Sequence, residues 1–199
     1  STLPASSVTV TAEMKDTEIW TLSIGAAGTK NTAIAGSFSV NFITSTVDAH
    51  ISNNANIDTT GNVQVKAIDK SNIFSLAGQV AISISSSAIG AAVGVNRISN
   101  TIKAYIDNSN VDTTDNGNVI VSADEQAWIK SLSVGASMAG SSFALGGSVS
   151  INLITNTIEA KITGTKAINA HGSILVSAFD DTDSWALAGN FSLGSRNAV

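Results

Sequence analysis

The chain of 199 residues has no cysteine, one proline, one tyrosine and few charges: Asp, Glu, Lys and Arg make up 13% of it, against roughly 25% in an ordinary soluble domain. Without cysteine there can be no disulfide, thiolate metal site or thiol nucleophile, a composition compatible with export. Near-absence of proline suits strands paired on both edges, where proline would remove ladder donors. No apolar run approaches the ~20 residues of a helical membrane span, and no membrane insertion is expected. Ten Lys+Arg against fifteen Asp+Glu, a net charge of −5, leave no basic footprint, so nucleic acid is not expected as a partner. The first residues carry no basic and apolar signal-peptide pattern, so any export signal is expected outside this sequence. What is abundant is Ser, Thr, Asn, Ala, Val and Ile, a vocabulary that favours strands.

Those residues recur with a period. A V-x-V-x-A signature stands at Val8-Val10-Ala12, Val63-Val65-Ala67 and Val119-Val121-Ala123, and as I-x-V-x-A at Ile174-Val176-Ala178. A longer one, aliphatic-Asn-x-Ile-x-[SN]-Thr-[VI]-x-Ala-x-Ile, spans Val40 to Ile51, Val95 to Ile106 and Ile151 to Ile162. Leucines at Leu22, Leu76, Leu132 and Leu187 keep step. The chain therefore divides into units of about 55 residues at 8–62, 63–118 and 119–173, with a partial unit at 174–199, all in a single repeat domain.

Each unit reads as strand. Val63-Val65-Ala67, Ile102-Ala104-Ile106 and Leu76-Gly78-Val80-Ile82-Ile84 alternate with a period of two, and no stretch sustains a helical apolar face. Asp58 to Asn62 and Asp112 to Asn118 occupy one turn slot, the second longer by Asp115 and Asn116, as expected of a loop insertion. The apolar parity slips after Asn41, Asn96 and Asn152, which predicts a bulge or corner there. Stacked ~4.8 Å apart, these three asparagines would form a hydrogen-bonded ladder. The expected fold is an all-β parallel β-solenoid (β-helix) of about three and a half repeats, uncapped at both ends. The absence of a half-period near 27 residues favours one broad coil per unit over two. The small-residue stretch Ala77 to Gly94 is expected to fold back within the coil as two closely spaced strands. A conventional β-sandwich is the competing fold.

Candidate chemistry is sparse. His50 and His171 match no repeated position, and both read as exposed solubilising residues. Asp180, Asp181 and Asp183 could offer oxygens to calcium, but the nonapeptide of calcium-binding β-rolls is missing, and a solvated turn is expected instead. Trp20, Phe74 and Trp185 share one repeat position, Lys130 taking the slot in the third unit; they are expected to form an aromatic column in the core or at a coil edge rather than a sugar platform. Thr46, Thr101 and Thr157 also align, but Asp48, Lys103 and Glu159 beside them spoil an ice-facing plane. Scattered charges argue against polysaccharide cleavage. No catalytic residue, metal or cofactor is expected.

The V-x-V-x-A signature, the S-L-A-G of Ser75-Leu76-Ala77-Gly78, and the A-V-G-V-N-x-I-x-N-T of Ala92 to Thr101 followed by Ala104-x-Ile106 resemble repeats of the large leukotoxin-like and filamentous-haemagglutinin-like exoproteins of Gram-negative bacteria. The resemblance covers the whole chain. The first unit departs from it, with Lys30 and Asn31 where the second has Ile82 to Ser87. The resemblance implies type V or two-partner secretion, an extracellular or cell-surface location, and an elongated shaft serving adhesion or toxicity. On this basis the chain is expected to be a non-enzymatic rigid stalk of a secreted adhesin or toxin, meeting a host or neighbouring cell surface through its parent protein. A self-assembling fibre subunit, stacking end to end through uncapped edges, is the alternative.

Overall fold

A computed structural model describes residues 5–164, 167–195 and 197–198; Arg196 and Val199, at the end of the partial fourth unit, lie outside the described residues. Each unit supplies three sides of a coil. The first coil is β1 (Val8–Thr29), β2 (Ala33–Ile51) and β3 (Asn56–Thr59); the second is β4 (Val63–Ser83), β5 (Ala88–Asp107) and β6 (Asn110–Thr113). The third is β7 (Val119–Ala139), an interrupted side made of β8 (Phe143–Ile154) and β9 (Thr157–Thr163), and β10 (Ala167–Asn169); β11 (Ile174–Gly194) and β12 (Asn197–Ala198) begin a fourth. Equivalent strands stack in parallel into three sheets, ordered β1-β4-β7-β11, β3-β6-β10 and β2-β5-β8-β12, with β9 also beside β5. Val8 lies against Val63, Val63 against Val119 and Val119 against Ile174, so one unit is one coil and the repeat signature is the pairing register. Parallel in-register pairing rules out the antiparallel sandwich.

Two sides of about twenty residues and one of four make the cross-section a flat blade. The fold-back predicted between Ala77 and Gly94 is the turn 84–87 between β4 and β5. Small residues let the long sheets close on each other beside it. A Cβ at Gly25 would fall 1.9 Å from the carbonyl oxygen of Gly36 on the facing sheet, and one at Gly90 would strike the Gln79 side chain. Larger residues would force the sheets toward their usual ~10 Å spacing.

Departures from the repeat are absorbed locally. β1 holds one more residue than β4 between the paired segments, and the register shifts between Met14 and Thr17, where Asp16 adopts φ 51° as a bulge. The extra residues Asp115 and Asn116 both take positive φ, 49° and 61°, and loop out while Thr113 Oγ1 closes the turn on Gly117 O at 2.7 Å. Aspartate and asparagine tolerate this left-handed conformation better than most residues. In the first unit, where the sequence departs from its pattern, β1 continues to Thr29 and Lys30 lies in the turn that follows.

Along the blade the interior alternates between apolar and polar zones. Nearest the short side, Val63, Val65 and Ala67 with their counterparts pack against Ile102, Ala104, Ile106 and Val111. A second cluster, centred on Ile73, Ile98 and Ile129, lies midway, and an alanine cluster, including Ala81, Ala88 and Ala144, fills the narrow end by the fold-back turn. Between the apolar zones lie buried serines, asparagines and acids.

One expectation is corrected here. Asn41 and Asn96 do not mark corners: β2 and β5 run straight through them with unbroken inward and outward alternation. Asn152 likewise lies within β8. The parity slips because the apolar side chains change faces. Ile98, Ile102 and Ile106 point inward, whereas Ile89, Val93 and Val95 on the same strand point outward. The corners before the second and third V-x-V-x-A strands belong to other asparagines: Asn62 Oδ1 accepts from Asn118 N at 2.8 Å, and Asn118 Oδ1 from Ser173 N, before the fourth, at 2.7 Å.

Candidate functional site

Asn41, Asn96 and Asn152 occupy one register position on the inner face of the second long sheet. Asn41 Nδ2 donates to Asn96 Oδ1 at 2.8 Å, Asn96 Nδ2 to Asn152 Oδ1 at 2.9 Å, and Asn152 Nδ2 to the carbonyl of Trp185 at 2.9 Å. Serines of the facing sheet close the network, Ser131 Oγ donating to Asn152 Oδ1 at 2.8 Å and the Ser75 hydroxyl pairing at 3.1 Å with Ser39 of the asparagines' own sheet. Asn96 is fully buried, so each polar atom of its amide must find its partner inside the stack.

A second polar column was not singled out in the sequence. Asp69, Glu125 and Asp180 are successive register partners on the first long sheet, and Asp69 and Glu125 are wholly buried. They face Ser45, Asn100 and Asn156. Asp69 accepts from the hydroxyls of Ser45 and Ser71, each at 2.5 Å, and from Asn100 Nδ2 at 3.0 Å. The same Asn100 amide reaches Glu125 Oε1 at 3.1 Å, and Asn156 Nδ2 adds a contact at 3.2 Å. Glu125 Oε2 has no partner. Burial, opposed by the Asn100 hydrogen bond and reinforced by the charges of Asp69 and Asp180, raises the Glu125 carboxyl to about 7. The signal for this column was present: each acid shares the inward parity of the V-x-V-x-A triplet before it.

Trp20, Phe74, Lys130 and Trp185 also share one register position, but on the outer face of the blade, which corrects the expected packing in the core or at a coil edge. Trp20 is 68% and Trp185 51% exposed, and the Trp20 and Phe74 rings lie 4.9 Å apart. Their parity decides this, since they alternate with the inward-facing Ile19, Ile73 and Ile129.

The aromatic column edges a larger feature. From it to the fold-back turn the outward positions of both long sheets are apolar. On the first sheet these include Leu22, Ile24, Val80, Ile82, Val134 and Leu187; on the second, Ile34, Phe38, Phe42, Val149, Ile151 and Leu153, all at least 40% exposed. On the other side of the column the exterior is charged, with Lys66, Lys70, Asp124, Lys103 and Glu159. The blade is thus an ordinary solenoid in one half. In the other it is inverted, with small alanine, glycine and serine and a few amides inside and the large apolar side chains outside.

The remaining candidates are dispersed. His50 stacks on Tyr105 at 4.9 Å and contacts Asp48 Oδ1 at 2.7 Å on the charged exterior; His171 contacts the Thr113 carbonyl. Asp180, Asp181 and Asp183 lie within β11 and not in a turn, because the strand pairs with β7 throughout. Asp181 and Asp183 border a shallow hollow with Lys70, Trp128 and Lys130, where Lys130 Nζ sits 4.7 Å from the centre of the Trp128 ring. Among the described residues no group of three or more His, Asp or Glu could hold a metal ion. Thr46, Thr101 and Thr157 form an outward row beside the row of Asp48, Lys103 and Glu159. Lys161 pairs with Glu159 at 2.8 Å, which lowers the glutamate and raises the lysine from their ordinary values. These exposed groups form a solvated face. No protein-family model, curated protein or solved structure matches the chain.

Proposed function

We propose that the chain is a rigid, non-enzymatic stalk segment of a secreted bacterial adhesin or toxin, spacing a binding region from the cell surface. The observation that carries this reading is uninterrupted parallel register: the β4 to β7 pairing runs from Val63 to Ser83 without a shift. Such a stack extends by about 4.8 Å per coil and resists bending, because each coil is hydrogen-bonded to its neighbours along its length. The bacterial, secreted and adhesive parts of the reading rest on the resemblance of the repeats. Removing residues 63–118 from the parent protein should shorten the shaft by one coil and leave its affinity for its target in solution unchanged. Loss of that affinity would place the binding region in this segment and overturn the stalk.

A second reading, a fibre subunit, is favoured by the sheet edges. Among the described residues β1 pairs on one side with β4 and β11 on one side with β7, so in the purified 199-residue chain each presents a row of backbone groups on its other side. Such edges template further pairing. On this reading, electron microscopy of the purified chain should show filaments with an axial repeat near 4.8 Å; monodisperse short particles would exclude it.

A further inference from the structure

The inverted half of the blade leaves a broad apolar exterior on two opposite faces. We propose that this half is a lipid-facing element that enters a phospholipid bilayer with its fold-back turns leading and its aromatic column at the headgroups. Four features support lipid over a second copy of the chain. First, both faces are apolar, so a partner docking on one would leave the other bare, whereas acyl chains cover both. Second, the length fits: the ten-residue rise from Phe74 to Ile84 is about 33 Å at ~3.3 Å per residue, and that from Leu145 to Leu153 about 26 Å, bracketing a hydrocarbon core of ~30 Å.

Third, charge is distributed as a bilayer requires. Between the aromatic column and the turns the outward positions of both long sheets carry no charged side chain. The turn of the first coil carries Lys30, which ten residues at ~3.3 Å beyond Trp20 set at the opposite headgroups; those of the second and third coils are serine-rich, and their polar groups bond across coils, Ser141 Oγ donating to Ser85 O at 2.5 Å and Gly140 N to Ser83 O at 3.0 Å. At the other border Trp20 donates Nε1–H to Glu18 at 3.1 Å, away from the band, and Arg97 ends the band on the second sheet. Tryptophan with an apolar body and a polar tip is characteristic of membrane interfaces. Fourth, the inside of this half holds small alanines, glycines and serines with the Asn41, Asn96 and Asn152 ladder, so along each strand the large apolar side chains all stand outside, as in strands that cross membranes.

The expectation against membrane insertion rested on the lack of long apolar runs, and no helix among the described residues is long and apolar enough to cross a membrane. Strands follow the alternation rule instead. The outer edges of β1 and β11 would be costly in lipid unless paired, so bound blades stack edge to edge and binding rises more steeply than protein concentration. With strands crossing the bilayer the stack axis lies in the membrane plane, a state distinct from a shaft standing off the surface, so the proposal does not rest on the spacer reading.

Flotation with phosphatidylcholine vesicles tests the proposal, a neutral lipid being chosen because the chain carries a net charge of −5. The folded chain should float with the vesicles, its tryptophan emission should shift to the blue, and brominated acyl chains should quench it. The double substitution Val80→Lys and Val134→Lys changes two outward, solvent-exposed positions, so circular dichroism and thermal stability should hold while vesicle binding falls about a hundredfold or more. Folded protein that stays with the aqueous phase would overturn the proposal, as would flotation unaffected by the two lysines. A soluble dimer with its tryptophan emission already blue-shifted before lipid is added would assign the band to a second copy.

Discussion

Glu125→Gln is expected to stabilise the folded chain at pH 8 by about 3 kcal/mol while changing little at pH 4. The carboxyl titrates near 7 in the fold against an ordinary 4.5, and each pH unit of such a difference is worth about 1.4 kcal/mol. The sign follows from proton counting. Below about 4.5 both folded and unfolded chains hold the proton. Between about 4.5 and 7 only the folded chain holds it, so stability falls as pH rises through this window and stays reduced above it. Glutamine can still accept from Asn100 and Asn156 through its oxygen, and it never ionises beside Asp69. Denaturant titrations of both proteins at pH 4, 6 and 8 provide the measurement, their difference isolating Glu125 from the histidines and other acids. Parallel stability curves would show that Glu125 contributes nothing to the pH dependence.

Asn96→Asp is expected to cost about 1–3 kcal/mol at pH 7, or about 2–4 °C of melting temperature per kcal/mol for a chain of this size. The carboxylate can accept from Asn41 as the amide did. It cannot donate to Asn152, and it places a charge against Asn152 Oδ1 in a fully buried position. Acidification should recover part of the loss, because a protonated carboxyl again donates to Asn152. An unchanged melting temperature at pH 7, or a deficit that does not narrow toward pH 4, would show that the ladder does not hold these coils in register.

Both substitutions probe an interior that holds buried serines, asparagines and acids between its apolar zones. Interior hydroxyls, amides and carboxyls are bonded mostly between coils or between sheets, and few atoms, among them Glu125 Oε2 and Gln79 Oε1, are left over. Satisfied in this way, the polar columns penalise a slip of register more than apolar ones would, since a shift by two residues, which keeps the faces, sets the ladder amides against Ile43, Ile98 or Ile154. Apolar zones supply the burial and polar columns specify the alignment.

Much of this was legible in the residues. The 55-residue period became the pairing register, because in a parallel stack the only way to repeat contacts is to repeat positions. The two-residue insertion emerged as a loop with Asp115 and Asn116 at positive φ. The common position of Trp20, Phe74 and Trp185 and that of the three asparagines were also visible, but their sides were not. Periodicity of two says that neighbours face opposite ways, not which way is in. At Asn96 the apolar residues before it point out and those after it point in, and a sequence reader who assumes that apolar means inside sees a bend.

The sequence by itself determined the strand content, the unit length and the register, since all three are properties of spacing. Only the tertiary structure decided which parity faces inward, because that depends on how closely the two long sheets approach. Where glycine, alanine and serine bring them together, as at Gly25 against Gly36, large apolar side chains have no room inside and must stand on the surface. That placement turned an even scatter of valines, isoleucines and tryptophans into an exposed apolar band on one half of the blade, with the charged side chains gathered on the other.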